Sequence, residues 1–281
     1  MTVTPTTPGT AGAAGTTGAP TAGGAGGAGG GFAQAGSFVQ GGTGGAAGGF
    51  AQAGSSAQGG AGGAQPLGGA GGEPATCVEG TVAAEEVIFI GESFIAQSGA
   101  IPRYTTQFAR DAGTIGTSES YRSYAVNGTL LTTGAIPAQY TRARSDGPVK
   151  VVLMDGGGND LLAAGRCQSG FDQRCEEIVT TVDTLFLQMR TDGVSDVVYF
   201  FYPDPMGIGA RIKPAMDILR PEMKALCDGT THVRCIWVDQ RESWMDHYDE
   251  YTDDGIHPTD AGSMASARQI WNAMVANCVA Q

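Results

Sequence analysis

Four short segments of this chain carry residues that do chemistry together. Ser93 lies in Gly91-Glu92-Ser93, Gly128 in Asn127-Gly128, Asn159 in Gly157-Gly158-Asn159-Asp160, and His257 in Asp254-Gly255-Ile256-His257-Pro258. A serine hydroxyl is a weak nucleophile at neutral pH; it needs a base within hydrogen-bond reach and a third group that fixes the tautomer of that base. Asp254 and His257, three positions apart in one tight turn, supply both. Acyl transfer also needs donors aimed at the oxygen that gains negative charge. The backbone N–H groups of Ser93 and Gly128 and the side-chain amide of Asn159 are the candidates. Taken singly, a serine after a strand also reads as a helix cap, and Gly-Asn-Asp as a turn. Their occurrence as an ordered set is what points to catalysis.

These segments must be held by a framework, and the sequence outlines one. Short β-branched runs at Val87–Ile90, Val149–Met154, Asp196–Phe201 and Val233–Val238 read as buried parallel strands, with a fifth, shorter one near Tyr121–Val126. Between and after them lie helical stretches at Pro102–Ala112, Cys175–Arg190, Ile212–Cys227 and Asp260–Cys278. In the second of these helices Ile178, Val182, Leu185 and Met189 recur at helical spacing and face the sheet. The alternation predicts an α/β fold: a three-layer α/β/α sandwich on a five-stranded parallel sheet. In such sheets ligands bind beyond the carboxyl ends of the strands. Three of the chemical segments follow predicted strands, and the fourth precedes the last helix.

Composition divides the chain. Residues 1–76 hold 27 of the 46 glycines, one charged side chain, Glu73, and few large apolar residues beyond Phe32, Phe38, Phe50 and Leu67. Such a segment cannot offset its ordering entropy and reads as a disordered Gly/Ala/Thr-rich linker, with a root-mean-square span of about 45 to 50 Å. Residues 77–281 have a globular composition and are long enough for one catalytic domain. All 16 Lys and Arg and all but one of the 28 acids lie there, and the net charge is −12. That balance excludes nucleic acid and anionic lipid as expected partners. No apolar run approaches the length of a transmembrane helix, and the first residues do not read as a signal peptide, so a mature or trimmed form is expected.

All six cysteines, Cys77, Cys167, Cys175, Cys227, Cys235 and Cys278, fall in the second part, with no zinc-type pairing, and no metal or other cofactor is expected. The spacing suggests the pairs Cys167 with Cys175, Cys227 with Cys235 and Cys77 with Cys278, among fifteen possible connectivities and the alternative of free thiols. Disulfides imply an extracytoplasmic site of action, secreted or attached to an envelope through the linker. Trp244, His247, Tyr248 and Tyr251 form an aromatic group just before Asp254 that is either a substrate rim or a packed loop.

The ordered set Ser93, Gly128, Asn159 and Asp254 with His257 resembles the SGNH hydrolase (GDSL-like esterase/lipase) family, whose four blocks carry Ser, Gly, Asn and His. The resemblance implies the flavodoxin-like sandwich of that family, with Ser93 as nucleophile and Ser93, Gly128 and Asn159 as its oxyanion hole. The first block departs from the family's usual Gly-Asp-Ser: Glu92 keeps the charge and adds a methylene. The α/β-hydrolase elbow, Gly-x-Ser-x-Gly, is absent here, since the chain continues Ser93-Phe94-Ile95. Two functions from different classes follow. One is a serine ester hydrolase acting on acylated carbohydrate or short-chain esters. The other is a tethered carbohydrate-binding or adhesion module that has kept the fold and lost catalysis.

Overall fold

The computed structural model describes Cys77 and residues 82–280; the predicted linker, residues 1–76, lies outside the described residues. The first strand, β1 (Val87–Ile90), is apolar at every position and buried throughout, as a strand covered on both faces requires. It leads into a single helical turn, α1 (Ser93–Ala96), and then α2 (Ala100–Asp111). Strand β2 (Arg122–Ser123) is shorter than the predicted Tyr121–Val126. Beyond it, Tyr124 and Val126 still donate to the carbonyls of Phe89 and Gly91 at 2.8 and 3.1 Å, so the chain stays alongside β1 without a regular ladder. Helix α3 (Ala135–Asp146) follows, then β3 (Val151–Met154), the one-turn α4 (Gly158–Leu162), α5 (Gln173–Thr191) and β4 (Asp196–Phe201). The chain continues through α6 (Lys213–Gly229), β5 (Arg234–Asp239), two short helices, α7 (Arg241–Trp244) and α8 (Tyr248–Tyr251), and closes with α9 (Asp260–Ala276).

All strand pairs are parallel, in the order β2-β1-β3-β4-β5. From β1 the chain winds first toward β2 and then crosses to β3 on the opposite side. The crevice beyond the carboxyl ends of β1 and β3 is therefore the switch point where α/β sheets bind ligands. Helices α2 and α9 pack together, as do α5 and α6, with the sheet between the layers. Ile178, Val182, Leu185 and Met189 of α5 are all buried against it. Among the described residues no helix is long and apolar enough to cross a membrane.

The cysteines form three disulfides: Cys77–Cys278, Cys167–Cys175 and Cys227–Cys235. The first spans 201 residues and fastens the start of the described domain to the segment after α9. Cross-linking residues so far apart removes much of the unfolded chain's freedom. Cys77→Ser with Cys278→Ser is expected to lower unfolding stability by about 2 to 5 kcal/mol in denaturant titrations. An unchanged midpoint and slope would contradict that role.

Candidate active site

Ser93 is the first residue of α1, directly beyond β1. Its N–H belongs to the opening turn of a helix, whose donors have no partner within the helix. Gly91 brings the chain there by a close approach: at φ +146°, a Cβ at this position would stand 1.8 Å from an oxygen of Asp155. The side-chain amide of Gln139, projecting from α3, clamps Gly91, accepting from its N–H at 2.7 Å and donating to its carbonyl at 2.9 Å. Neither Gln139 nor Asp155 was singled out from the sequence.

His257 and Asp254 come from the turn before α9. His257 Nε2 stands 2.8 Å from Ser93 Oγ, and its Nδ1 stands 2.6 Å from Asp254 Oδ2. Asp254 Oδ1 accepts the backbone N–H groups of His257 and Ile256 at 2.7 and 2.9 Å, which fixes the carboxylate inside its own turn. Gly255 makes that turn possible. Its φ is +81°, and a Cβ there would lie 2.2 Å from the carbonyl oxygen of Met206, whose own N–H donates to Gly255 at 2.7 Å. Partial burial pushes the Asp254 carboxyl up, but the hydrogen bonds from the His257 ring and from the backbone outweigh it and hold the group down at about 2. It is therefore ionised across the working range of an ester hydrolase.

Because this acid is lower in the folded protein than its ordinary 3.8, it stabilises the fold above that pH and loses the contribution as pH falls toward 2. The difference in thermal midpoint between the wild type and Asp254→Asn is expected to shrink across that window. A difference that stays constant down to pH 2 would contradict the shift.

Asn159 lies in α4, just past β3, the neighbour of β1. Its side-chain amide donates to the carbonyl of Thr129 at 3.0 Å, which uses one of its two hydrogens and orients the group. Asp160, fully buried, accepts from the backbone N–H of Leu131 at 2.9 Å and of Thr132 at 3.2 Å, tying the segment after Gly128 to α4. Gly128 itself has φ +73°. Ser93, Gly128, Asn159 and His257 all border one cavity of about 310 Å³.

Glu92 supplies the support its added methylene left open. Its buried carboxyl accepts the N–H of Gly157 and of Asn159, each at 2.8 Å, so it spans from the Ser93 loop to the Asn159 loop. Its own N–H donates to Asp155 Oδ1 at 2.6 Å. Burial pushes both carboxyls up, and the charge of Asp155 adds to the effect on Glu92. Glu92 holds two backbone donors, whereas Asp155 Oδ2 has no hydrogen-bond partner.

The aromatic group divides. Trp244 borders the cavity and is buried, its indole N–H donating to Ser266 at 2.9 Å. His247, Tyr248 and Tyr251 do not border it. They pack behind Trp244: His247 stacks on Tyr251 at 5.1 Å, and Tyr248 and Tyr251 meet the indole edge-on. Of the two readings, substrate rim or packed loop, the ring contacts of these three residues are those of a packed loop. Tyr248 and Tyr251 are half-buried, and His247 is exposed. Among the described residues no group of three or more His, Cys, Asp or Glu side chains could hold a metal ion.

Solved structures with the same fold include a catalytic mutant of an acetylxylan esterase from Geobacillus stearothermophilus, 15% identical, with a TM-score of 0.54 over 71% of this chain and 96% of that one. A carbohydrate esterase family 3 protein from Talaromyces cellulolyticus is 14% identical, with a TM-score of 0.53 over 68% of this chain and 97% of the other. At these identities the likeness is one of fold. A search of curated proteins by sequence gave no match. The sequence profile of the GDSL-like lipase/acylhydrolase family matches residues 89–265, more than half of the 281-residue chain. The chain therefore belongs to that family and is a carboxylic ester hydrolase of the SGNH type.

Proposed function

We propose that the chain cleaves esters through an acyl-serine intermediate on Ser93, outside the cytoplasm, with acylated carbohydrate or short-chain esters as substrates. The observation that carries this reading is the unbroken hydrogen-bond relay from Ser93 Oγ through His257 to Asp254, at 2.8 and 2.6 Å. His257 takes the serine proton as Ser93 Oγ bonds to the ester carbon, then passes it to the departing alcohol oxygen as the ester C–O bond breaks. A water deprotonated by the same imidazole releases the acid and restores the serine. Asp254 holds the ring in place and stabilises its charged form. The N–H groups of Ser93 and Gly128 and the amide of Asn159 stabilise the oxyanion in both half-reactions.

Three disulfides support an oxidising compartment. Residues 77–281 form the catalytic domain in this reading, and residues 1–76 serve as its tether to an envelope or polymer. The silent binding module gains no support, because the nucleophile and its base already stand at bonding distance. Purified protein is expected to hydrolyse p-nitrophenyl butyrate and to lose that activity in proportion to labelling by a fluorophosphonate. Absence of both hydrolysis and labelling would contradict the proposal.

A further inference from the structure

Leu162 and Ile212 border the catalytic cavity and also border a second basin, whose other lining is Gln168, Arg211, Pro214 and Ala215. A substrate that extends from Ser93 past Leu162 and Ile212 enters that basin. Both of its polar walls are fixed to the fold. Arg211 belongs to a 3₁₀ helix, Gly207–Ile212, and the residue after it, Ile212, is buried. This segment lies against the catalytic turn: Met206 donates to the carbonyl of Gly255 at 2.7 Å, and a Cβ on Gly209 would stand 2.6 Å from Ile256 Cγ1. Gln168 adjoins Cys167, whose disulfide to Cys175 ties its loop to α5, and Arg174 donates to the carbonyl of Ala164 at 2.6 Å in the same loop. The backbone is held at both places, while the side chains of Arg211 and Gln168 are exposed.

Arg211 is set apart by its lack of a partner. Of the sixteen Lys and Arg side chains, all of them among the described residues, it alone has no hydrogen bond, ion pair or ring contact. Every other one meets an acid, a carbonyl or a ring. The acids nearest to it in sequence, Asp204 and Asp217, are held by Lys213 at 3.2 and 2.8 Å. In a chain of net charge −12, the one cation left unpaired thus stands beside the catalytic cavity. Such a guanidinium gives up only water when an anion arrives, and its planar fork of donors matches a carboxylate. The Gln168 amide, also without a hydrogen-bond partner among the described residues, offers a further donor.

We propose that this basin receives a carboxylate carried by the ester substrate, with Arg211 as its cation and Gln168 as a second donor. The proposal rests on the acyl-serine reading above and names a chemical group of its substrate. A lone cation among acids suits a single negative charge, whereas the field of the whole domain repels a polyanion. The carboxylate has two chemical origins, a uronic-acid sugar in the alcohol or the far end of a dicarboxylic acyl group, and the recognition is the same for both.

The test compares kcat/KM of the full chain, at about 0.15 M salt, on paired esters that differ only in the anion. One pair carries it on the acyl half: p-nitrophenyl hydrogen adipate against p-nitrophenyl hexanoate. The other carries it on the alcohol half: an acetylated disaccharide with one uronic acid against its carboxyl-reduced form, read by acetate release. In one of the pairs the anionic-to-neutral ratio should fall about fivefold in Arg211→Gln, the scale of one charge-assisted pair at an exposed site, and further in Arg211→Glu. The pair that responds identifies the half that bears the carboxylate. The effect should shrink at about 1 M salt, where screening weakens an exposed pair. Arg190→Gln, which removes the same charge from an exposed position on α5, should leave both ratios as they are. Ratios that move by less than about twofold in both pairs, with the variants folded by circular dichroism, overturn the carboxylate site, as does an equal fall in Arg190→Gln. Such outcomes in a protein that a fluorophosphonate still labels leave the esterase reading standing; no turnover and no labelling would remove both.

Discussion

Replacing Ser93 by alanine is expected to lower kcat on p-nitrophenyl butyrate by roughly 10⁴-fold or more, with the fold intact by circular dichroism. The size follows from the relay. His257 and Asp254 form one acid-base unit whose only target is the oxygen 2.8 Å from Nε2. Without that oxygen no acyl-serine can form, and what remains is the oxyanion hole acting on adventitious water. Ser93 is the first residue of α1 and contributes no cap hydrogen bond, so its hydroxyl can be removed without unwinding the turn. A loss of less than tenfold, in folded protein, would mean that another group attacks the ester.

The second large effect belongs to Asn159. Asn159→Ala should reduce kcat roughly 10²- to 10³-fold with little change in KM, because the donor acts on charge that exists only in the transition state. Glu92→Gln should reproduce part of this loss while leaving the Asn159 amide in place. The two carboxylate oxygens each accept one backbone N–H; in the carboxamide an NH₂ group replaces one of them and faces an N–H, so one of the two 2.8 Å bonds to Gly157 and Asn159 is lost and the loop shifts. A fall in kcat of about tenfold or more, with KM nearly constant, marks a positioning role. A rise in KM alone, or a kcat unchanged by either variant, would contradict the oxyanion assignment. Loss through unfolding, seen by circular dichroism, would void the comparison.

The contrast between these residues shows what the sequence could and could not reveal. Strands such as Val87–Ile90, and Asp196–Phe201 beyond its first residue, were legible because full burial writes itself as a continuous apolar run. The candidate site was legible because three of its segments follow strands in order and the fourth, with Asp254 and His257, directly precedes α9. Helix α3 was not, since one of the four positions it buries is Gln139, flanked by Ile136, Tyr140 and Ala143, and the polar residue breaks the apolar stripe. Its function, clamping Gly91, depends on a partner 48 positions away. Glu92 stood out only as a departure from Gly-Asp-Ser, because its partners, Gly157 and Asn159, are backbone groups that no side-chain pattern announces. The aromatic residues near Asp254 read equally as rim or packing, and the structure sets Tyr248 and Tyr251 edge-on against Trp244 while leaving His247 exposed.

One measurement bears on the central claim more directly than any rate. After treatment with a fluorophosphonate, the intact protein should gain the mass of a single adduct, and peptide mass spectrometry should place it on Ser93, with no adduct on Ser93→Ala and slowed labelling in His257→Ala. An adduct on a different residue, or equal labelling of wild type and Ser93→Ala, would contradict the assignment of Ser93 as the nucleophile.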